Sequence, residues 1–144
     1  MKLSTKCRYG TRAVMEIARC YKESPIKRKD IAKNQNISDS YLENILISLK
    51  NAGIIDTIRG ANGGYMLRND PSEVNLLQII NALEGSLALV KCAENPSICD
   101  KIDRCATRMV WVKLQDAKED ILRNITVQEL LDYEGERFIV DYCI

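Results

Sequence analysis

Residues 37–68 read ISDSYLENILISLKNAGIIDTIRGANGGYMLR, and this stretch decides the fold. Its first half carries four apolar residues at helical spacing, namely Leu42, Ile45, Leu46 and Leu49. This stripe predicts an amphipathic helix over residues 38–52, with Ser38 as its N-cap. The second half holds two short β-prone runs, residues 54–58 and 65–67, joined by a turn rich in Gly and Asn. The sequence therefore predicts a helix followed by a small hairpin.

The side of this helix opposite the stripe carries short side chains that are either hydrogen-bonding or apolar: Ser40, Glu43, Asn44 and Ile47. Such groups suit the reading of base edges in the major groove of DNA. An ordinary solvent-exposed face is the alternative, and the helix alone leaves both interpretations open.

The segments upstream of this helix complete a DNA-binding arrangement. Residues 4–22 read as an amphipathic helix, and a short helix over residues 29–34 precedes the 38–52 helix by a tight turn. Two helices, a turn and a hairpin follow the order of a winged helix-turn-helix, with the hairpin as the wing. Arg59 at the wing base and Arg68 on the return strand would then face phosphates or a minor groove. For Arg59 the alternative is a solvated turn residue.

The charges are distributed unevenly along the chain. Residues 1–70 contain 13 Lys and Arg against 7 Asp and Glu, whereas residues 71–144 contain 8 against 13. A basic first half and an acidic second half fit a nucleic-acid-binding module that carries a separate functional segment. We expect a cytosolic protein without membrane contact, because no stretch has the apolar length of a membrane span and the first residues lack the apolar core of a secretory signal.

The second half is predicted to be helical as well. One helix lies between Asn75, its N-cap, and Gly85, its stop, and a long helix covers residues 104–123. The long helix repeats apolar residues at spacings of four, three and four: Val110, Leu114, Ala117 and Ile121. This seam favours contact with a second copy of the chain, and packing on the chain's own core is the alternative. A capping-box pattern at Thr126 begins a last short helix, and the apolar tail over residues 136–144 has no assigned structure.

Three cysteines lie close together in a chain that contains no histidine. Cys92, Cys99 and Cys105 are separated by six and then five residues, which is wider than the paired ligands of a structural zinc site. A loop that runs into a helix N-terminus suits an iron–sulfur cluster, and the helix dipole would stabilise the Cys105 thiolate. Thiols in a reducing compartment also suit redox chemistry. From spacing alone, a cluster, redox thiols and chance remain open.

Four stretches together resemble one family of winged-helix regulators. They are MKLSTKCRYGTRAVMEIA at residues 1–18, ISDSYLENILISLKNAGII at 37–55, IRGANGGYML at 58–67 and the three-cysteine segment at 92–105. In this order they resemble the bacterial family that includes the iron–sulfur-cluster regulator IscR, the nitric-oxide sensor NsrR, the iron regulator RirA and the cysteine-metabolism regulator CymR. The likeness covers nearly the whole chain, and the wing and the cysteines are specific in combination.

The resemblance implies a homodimeric transcription regulator that is mainly α with a small β wing and binds double-stranded DNA at a near-palindromic operator. It implies a winged helix-turn-helix domain over residues 1–84, a cysteine-bearing cluster loop over 85–106, a long C-terminal dimerisation helix over 104–124, and a C-terminal helix and tail over 125–144. The residues expected at the DNA are Lys2, Lys6, Arg8, Lys29, Ser38, Ser40, Tyr41, Glu43, Asn44, Arg59, Gly60, Asn62 and Gly63. An enzyme is not expected, because the sequence offers no catalytic constellation.

The same resemblance implies that Cys92, Cys99 and Cys105 hold a 2Fe–2S or 4Fe–4S cluster, through which DNA affinity responds to iron, nitric oxide or redox state. A cluster-free, thiol-based redox or cysteine-metabolism regulator of the same fold is the alternative. In part of the family a histidine three residues after the last cysteine is the fourth ligand, but this chain has Arg108 there. Cys7 of the partner subunit, or else a small thiol or water, would complete the set. The alternative is that Cys7 packs beneath the first helix.

Overall fold

The computed structural model describes residues 3–141 and has the mainly α architecture that the sequence predicts. The elements of this range are α1 (Thr5–Arg19), α2 (Arg28–Gln35), α3 (Asp39–Asn51), β1 (Ile55–Ile58), β2 (Gly64–Leu67), α4 (Leu76–Glu84), α5 (Lys91–Glu94), α6 (Ala106–Asn124) and α7 (Val127–Asp141). Two short 3-10 turns, Pro96–Ile98 and Ile102–Arg104, lie between α5 and α6. Lys2 and Cys143 lie outside the described residues.

One aliphatic core joins the first four helices and the base of the hairpin. Its fully buried members include Ile17, Ile31, Leu42, Ile45, Leu46, Leu49 and Ile79. The whole predicted stripe of α3 is therefore buried, and α3 packs on both α1 and α4. Burying one large aliphatic side chain contributes about 1.5–3 kcal/mol, so this stripe fixes which face of α3 points outward.

The turn between α2 and α3 is as tight as the sequence predicts. Asn36 closes α2 in the left-handed conformation, with a φ of 52°, which Asn tolerates better than most residues. The Ile37 backbone N–H then donates to the Ala32 carbonyl oxygen at 2.9 Å. Ser38 occupies the N-cap position of α3, but its side chain makes no capping hydrogen bond, so its hydroxyl stays exposed.

The wing is an antiparallel hairpin of β1 and β2, with Ile55 opposite Leu67 and Ile58 opposite Gly64. A further bridge attaches its base to the segment before α2. The Ile26 backbone N–H donates to the Tyr65 carbonyl oxygen at 3.0 Å, and the Tyr65 N–H donates back to the Ile26 oxygen at 2.8 Å. A Cβ on Gly64 would lie 2.4 Å from that Ile26 oxygen. The bridge therefore requires glycine at position 64.

Capping boxes begin α4 and α7, two of the helices for which the sequence predicts a capped start. At α4 the Asn75 side chain accepts from the Gln78 N–H at 3.0 Å, and the Gln78 side chain accepts from the Asn75 N–H at 2.9 Å. Before α7 the Thr126 N–H donates to Glu129 Oε2 at 2.7 Å. Gly85 ends α4 with a φ of 78°.

The last helix is longer than the short one predicted. It runs to Asp141 and takes up most of the tail that the sequence left unassigned. Once a capping box has started a helix, each further residue adds a backbone hydrogen bond, which offsets the β preference of the tail. Arg19 of α1 pairs with both Glu16 and Glu134, which ties α7 to the first helix.

We expect Gly64→Ala to lower the free energy of unfolding by about 1–3 kcal/mol, because the new methyl group collides with the Ile26 backbone. Gly135→Ala is the matched control, since a Cβ there meets nothing within 4 Å and a helical Gly→Ala change gains up to about 1 kcal/mol. Urea unfolding followed by circular dichroism measures both. Equal stabilities of the two variants would contradict the anchoring of the wing.

Candidate nucleic-acid interface and cysteine segment

The face of α3 that points away from the core carries four exposed side chains: Ser40, Glu43, Asn44 and Ile47. They are the residues that the helical pattern places opposite the buried stripe. Asn44 Nδ2 donates to the Ser40 carbonyl oxygen at 3.3 Å, and Ile47 is 50% exposed. This mixture of hydrogen-bonding groups and one aliphatic side chain can read base edges and a thymine methyl group.

Tyr41, expected at the DNA, is half-buried and serves the packing of α3. Its ring meets the Tyr9 ring edge-on, with 6.1 Å between centroids and an interplanar angle of 81°. The Arg12 guanidinium lies over the same Tyr9 ring at 5.6 Å. Aromatic pairs in this arrangement contribute about 0.5–1.5 kcal/mol beyond their burial. Tyr41 therefore anchors α3 on α1.

Three of the basic residues expected at the DNA, Lys6, Arg8 and Lys29, lie at the starts of α1 and α2. Arg8 and Lys29 are exposed, and Lys6 is half-buried. Arg8 Nη2 donates to Thr5 Oγ1 at 3.3 Å within the same helix turn. Exposed cations at these positions are available to phosphates.

The two arginines of the wing differ in their surroundings. Arg59 is exposed at the end of β1. Arg68, by contrast, binds Asp56 with two nitrogens, Nε to Oδ2 at 3.1 Å and Nη2 to Oδ1 at 2.7 Å. This bidentate pair lowers the pKa of the Asp56 carboxyl and already occupies the guanidinium. Arg59 is therefore the better phosphate ligand of the two.

The geometry of the wing turn explains why glycine occupies positions 60 and 63. Gly60 is exposed with a φ of 113°, a conformation open to glycine. Gly63 is buried, and a Cβ on it would lie 2.2 Å from the Ile58 carbonyl oxygen. Gly63 is thus required to close the turn, while Gly60 and Asn62 form its exposed tip.

The cysteine segment links α4 to α6. Cys92 lies in α5 and is half-buried, Cys99 is exposed, and Cys105 occupies the N-cap position of α6. A hydrogen bond with the Thr107 side chain, assisted by the Arg108 backbone N–H, lowers the pKa of the Cys105 thiol. The Arg108 side chain donates through Nε to the Cys92 carbonyl oxygen at 3.1 Å. Arg108 thus ties the start of the segment to α6.

These three thiols fit an iron–sulfur cluster in their donor chemistry, since such clusters are held by cysteine thiolates. Their arrangement is more open than a metal site: within the described residues, no three His, Cys, Asp or Glu side chains are gathered closely enough to hold a metal ion. Ligation by all three thiols therefore needs a rearrangement of the segment.

Cys7 is buried inside its own protomer, with 2% of its surface exposed. Burial raises the pKa of its thiol, and the Glu84 carboxylate adds to this effect. A thiol enclosed in this way cannot reach a cluster in a partner subunit while α1 keeps its place. The geometry argues against Cys7 as the fourth ligand and favours the alternative, packing beneath the first helix.

The predicted seam of α6 is exposed to solvent. Val110, Leu114 and Ile121 are 51%, 49% and 61% exposed, and Ala117 is exposed as well. Five of the six half-buried residues of α6 lie on the other side of the helix, where it packs on α4: Arg108, Val112, Gln115, Glu119 and Leu122. The sixth, Lys118, donates to the Leu87 carbonyl oxygen. The seam therefore covers none of the protomer's own core.

Comparison with known proteins places these features in one family. A family model described as "Rrf2: Iron-dependent Transcriptional regulator" matches residues 3–133. The chain belongs to the Rrf2 family.

Several Rrf2-type regulators are similar over nearly their whole length. The transcriptional regulator CymR of Bacillus subtilis is 37% identical over 138 residues, 95% of each chain. Its solved structure, titled as the global cysteine regulator of that organism, has a TM-score of 0.77 and covers 92% of this chain and 98% of CymR. The regulator IscR of Pectobacterium atrosepticum is 36% identical over 92% of this chain and 80% of its own. The structure of T. potens IscR also has a TM-score of 0.77, at 34% identity over 95% and 90% of the two chains.

Membership of the Rrf2 family confirms three predictions: the family itself, the winged-helix fold and the absence of enzymatic activity. The protein is a DNA-binding transcriptional regulator of this family. Among the described residues, no helix has the length and apolar character that crossing a membrane requires.

One charged residue of the helix-turn-helix, Arg28, was not predicted from the sequence to have a role. Arg28, the first residue of α2, pairs with both Asp39 and Glu43 of α3. A signal for it exists in the sequence, because two carboxylates one helical turn apart repel each other and favour a nearby cation. The pattern does not say which of the neighbouring cations is the partner.

Proposed function

We propose that the protein is a homodimeric, cytoplasmic transcription regulator that reads a near-palindromic operator with α3 and the wing. The observation that carries this proposal is the outward face of α3, which presents Ser40, Glu43, Asn44 and Ile47 beside a wing whose Arg59 is exposed. Helices of this kind enter the major groove, while flanking cations bind phosphates.

The dimer rests on the exposed seam of α6. Apolar residues at this spacing pack against a second helix, and the described residues of the protomer leave the seam exposed. An operator with two-fold symmetry is read by a protein with the same symmetry. The second copy of the chain is therefore the partner that the seam fits.

The finer proposal is that Cys92, Cys99 and Cys105 hold an iron–sulfur cluster and that operator affinity responds to iron, nitric oxide or redox state. The cluster would supply a centre that reacts with oxidants and nitric oxide. The cysteine segment connects α4, which packs on α1 and α3, with α6. A rearrangement of this segment would alter how the two recognition helices are spaced in the dimer.

A thiol-based regulator without a cluster is the second candidate. It is favoured by the open arrangement of the three thiols and by the lowered pKa of Cys105, which increases the thiolate fraction available for oxidation. The similarity to CymR, the global cysteine regulator of Bacillus subtilis, supports this alternative.

We expect Arg59→Ala to weaken binding to any duplex sequence and to reduce the slope of log affinity against log salt by about 0.9, the loss of one phosphate contact. Arg68→Ala is the matched comparison and is expected to change the slope little, because Asp56 already binds its guanidinium. Fluorescence anisotropy over a salt series measures both. A larger slope change for Arg68→Ala would contradict the assignment of the wing.

We expect Leu114→Glu to convert the dimer into a monomer, since a carboxylate in the seam would be buried without a partner. Met109→Glu is the control: Met109 is even more exposed, at 63%, but lies about a quarter turn away from the seam. Sedimentation equilibrium measures the mass of both variants. A dimeric Leu114→Glu protein would overturn the seam as the interface.

We expect anaerobically purified protein to be brown and to contain iron and sulfide, and its operator affinity to change on cluster loss. Single Ser substitutions of Cys92, Cys99 and Cys105 should each shorten the cluster lifetime, whereas Cys7→Ser should leave the absorption spectrum unchanged. A colourless protein whose operator affinity changes on thiol oxidation would contradict the cluster and support the thiol-based regulator.

A further inference from the structure

Arg28 links the first helix of the helix-turn-helix to the reading face of the second. Its Nε donates to Asp39 Oδ1 at 3.0 Å, its Nη2 lies 2.7 Å from Asp39 Oδ2, and its Nη1 lies 2.7 Å from Glu43 Oε1. All three guanidinium nitrogens are thus bound to carboxylates of α3. A planar fork with five N–H donors can make such contacts with two carboxylates at once.

This arrangement counteracts a repulsion built into α3. Asp39 and Glu43 lie one helical turn apart, where like charges destabilise a helix. Glu43 also lies on the outward face of α3, where a free carboxylate would repel DNA phosphates, and half-buried Asp39 lies at the start of the helix beside it. The Asp39 and Glu43 side chains are 45% and 52% exposed, so the pairs with Arg28 contribute little to folding stability. What they fix is the position of the carboxylates.

Glu43 is the carboxylate that can read a base. It lies on the same outward face as Ser40 and Asn44, and its nearest contact with Arg28 is through Oε1, at 2.7 Å. A carboxylate has about four lone-pair sites, so Glu43 keeps acceptor capacity for a base. Carboxylates in a major groove accept a hydrogen bond from the N4 amino group of cytosine. A glutamate without a cationic partner would adopt several rotamers and would repel the phosphate backbone of DNA. A glutamate paired with Arg28 presents its carboxylate in one position.

We propose that Arg28 is a positioning residue for DNA recognition: it holds Glu43 so that one oxygen selects cytosine at one base pair of each half-site. This inference rests on the proposed operator reading by α3. Arg28 does not serve as a phosphate ligand in this scheme, because its nitrogens are occupied by the carboxylates. The adjacent Lys29, which is exposed, is the phosphate-facing cation at the start of α2.

The experiment is selection of bound sequences from a randomised duplex library by full-length protein, with affinities measured on the selected operator. The variants are Arg28→Gln, Arg28→Lys, Glu43→Gln, the double variant Arg28→Gln with Glu43→Gln, and Lys29→Gln as the control cation. Urea unfolding establishes that each variant is folded.

Wild-type protein is expected to prefer cytosine at one position of each half-site, and Glu43→Gln to abolish that preference. Arg28→Gln is expected to reduce it about tenfold without a change in salt slope, within the range that one base contact supplies. Arg28→Lys keeps the positive charge that Arg28→Gln removes, but an ammonium group cannot hold both carboxylates. We therefore expect Arg28→Lys to bind the operator more tightly than Arg28→Gln without regaining the preference for cytosine. In the Glu43→Gln background, loss of Arg28 should leave the base preference unchanged.

Lys29→Gln is expected to weaken binding to all sequences equally and to lower the salt slope. The same behaviour from Arg28→Gln, with base preference intact, would overturn the inference and make Arg28 a phosphate ligand. Full recovery of the preference by Arg28→Lys would also overturn it, since charge alone would then suffice. If wild-type protein selects no sequence at all, it is the proposed function that fails.

Discussion

Burial of one side of α3 is the constraint on which the rest of the molecule depends. The stripe from Leu42 to Leu49 is packed on α1 and α4, and this packing turns the opposite side outward. The tight turn at Asn36 sets α2 beside it, which brings Arg28 to Glu43. The packed face of α3 and the face proposed to recognise bases are therefore two sides of one helix, so a change in the stripe also moves the outward face.

The second half of the chain is joined to this unit through α4. That helix packs on α1 and α3 on one side and supports α6 on the other, with the cysteine segment between them. The contact between Arg108 and the Cys92 carbonyl oxygen holds the two ends of the segment together. Any chemistry at the thiols thus acts close to the helix that also carries the exposed seam.

Sequence patterns were reliable where a feature depends on neighbouring residues. The α3 stripe, the Asn75 cap, the Thr126 capping box and the wing turn follow from local spacing, and each is present. The predicted cap Ser38 occupies the N-cap position of α3 but makes no capping hydrogen bond. Features that depend on distant partners were missed: the pairing of Arg28 with Glu43 and the packing of Tyr41 on Tyr9. For Cys7 the sequence left burial beneath the first helix as one of two alternatives. The length of α7 was underestimated because β-prone residues continue a helix that is already started.

The exposed seam of α6 has a consequence for protein concentration. Among the described residues, none of this helix is fully buried, so a partner that covers the seam would add to the stability that packing on α4 provides. If a second copy covers it, as proposed, mass action makes the order of α6 rise with the amount of protein in the cell. The cysteine segment ends on that helix. The structure of the cysteine segment would then respond to the concentration of the regulator as well as to chemistry at its thiols.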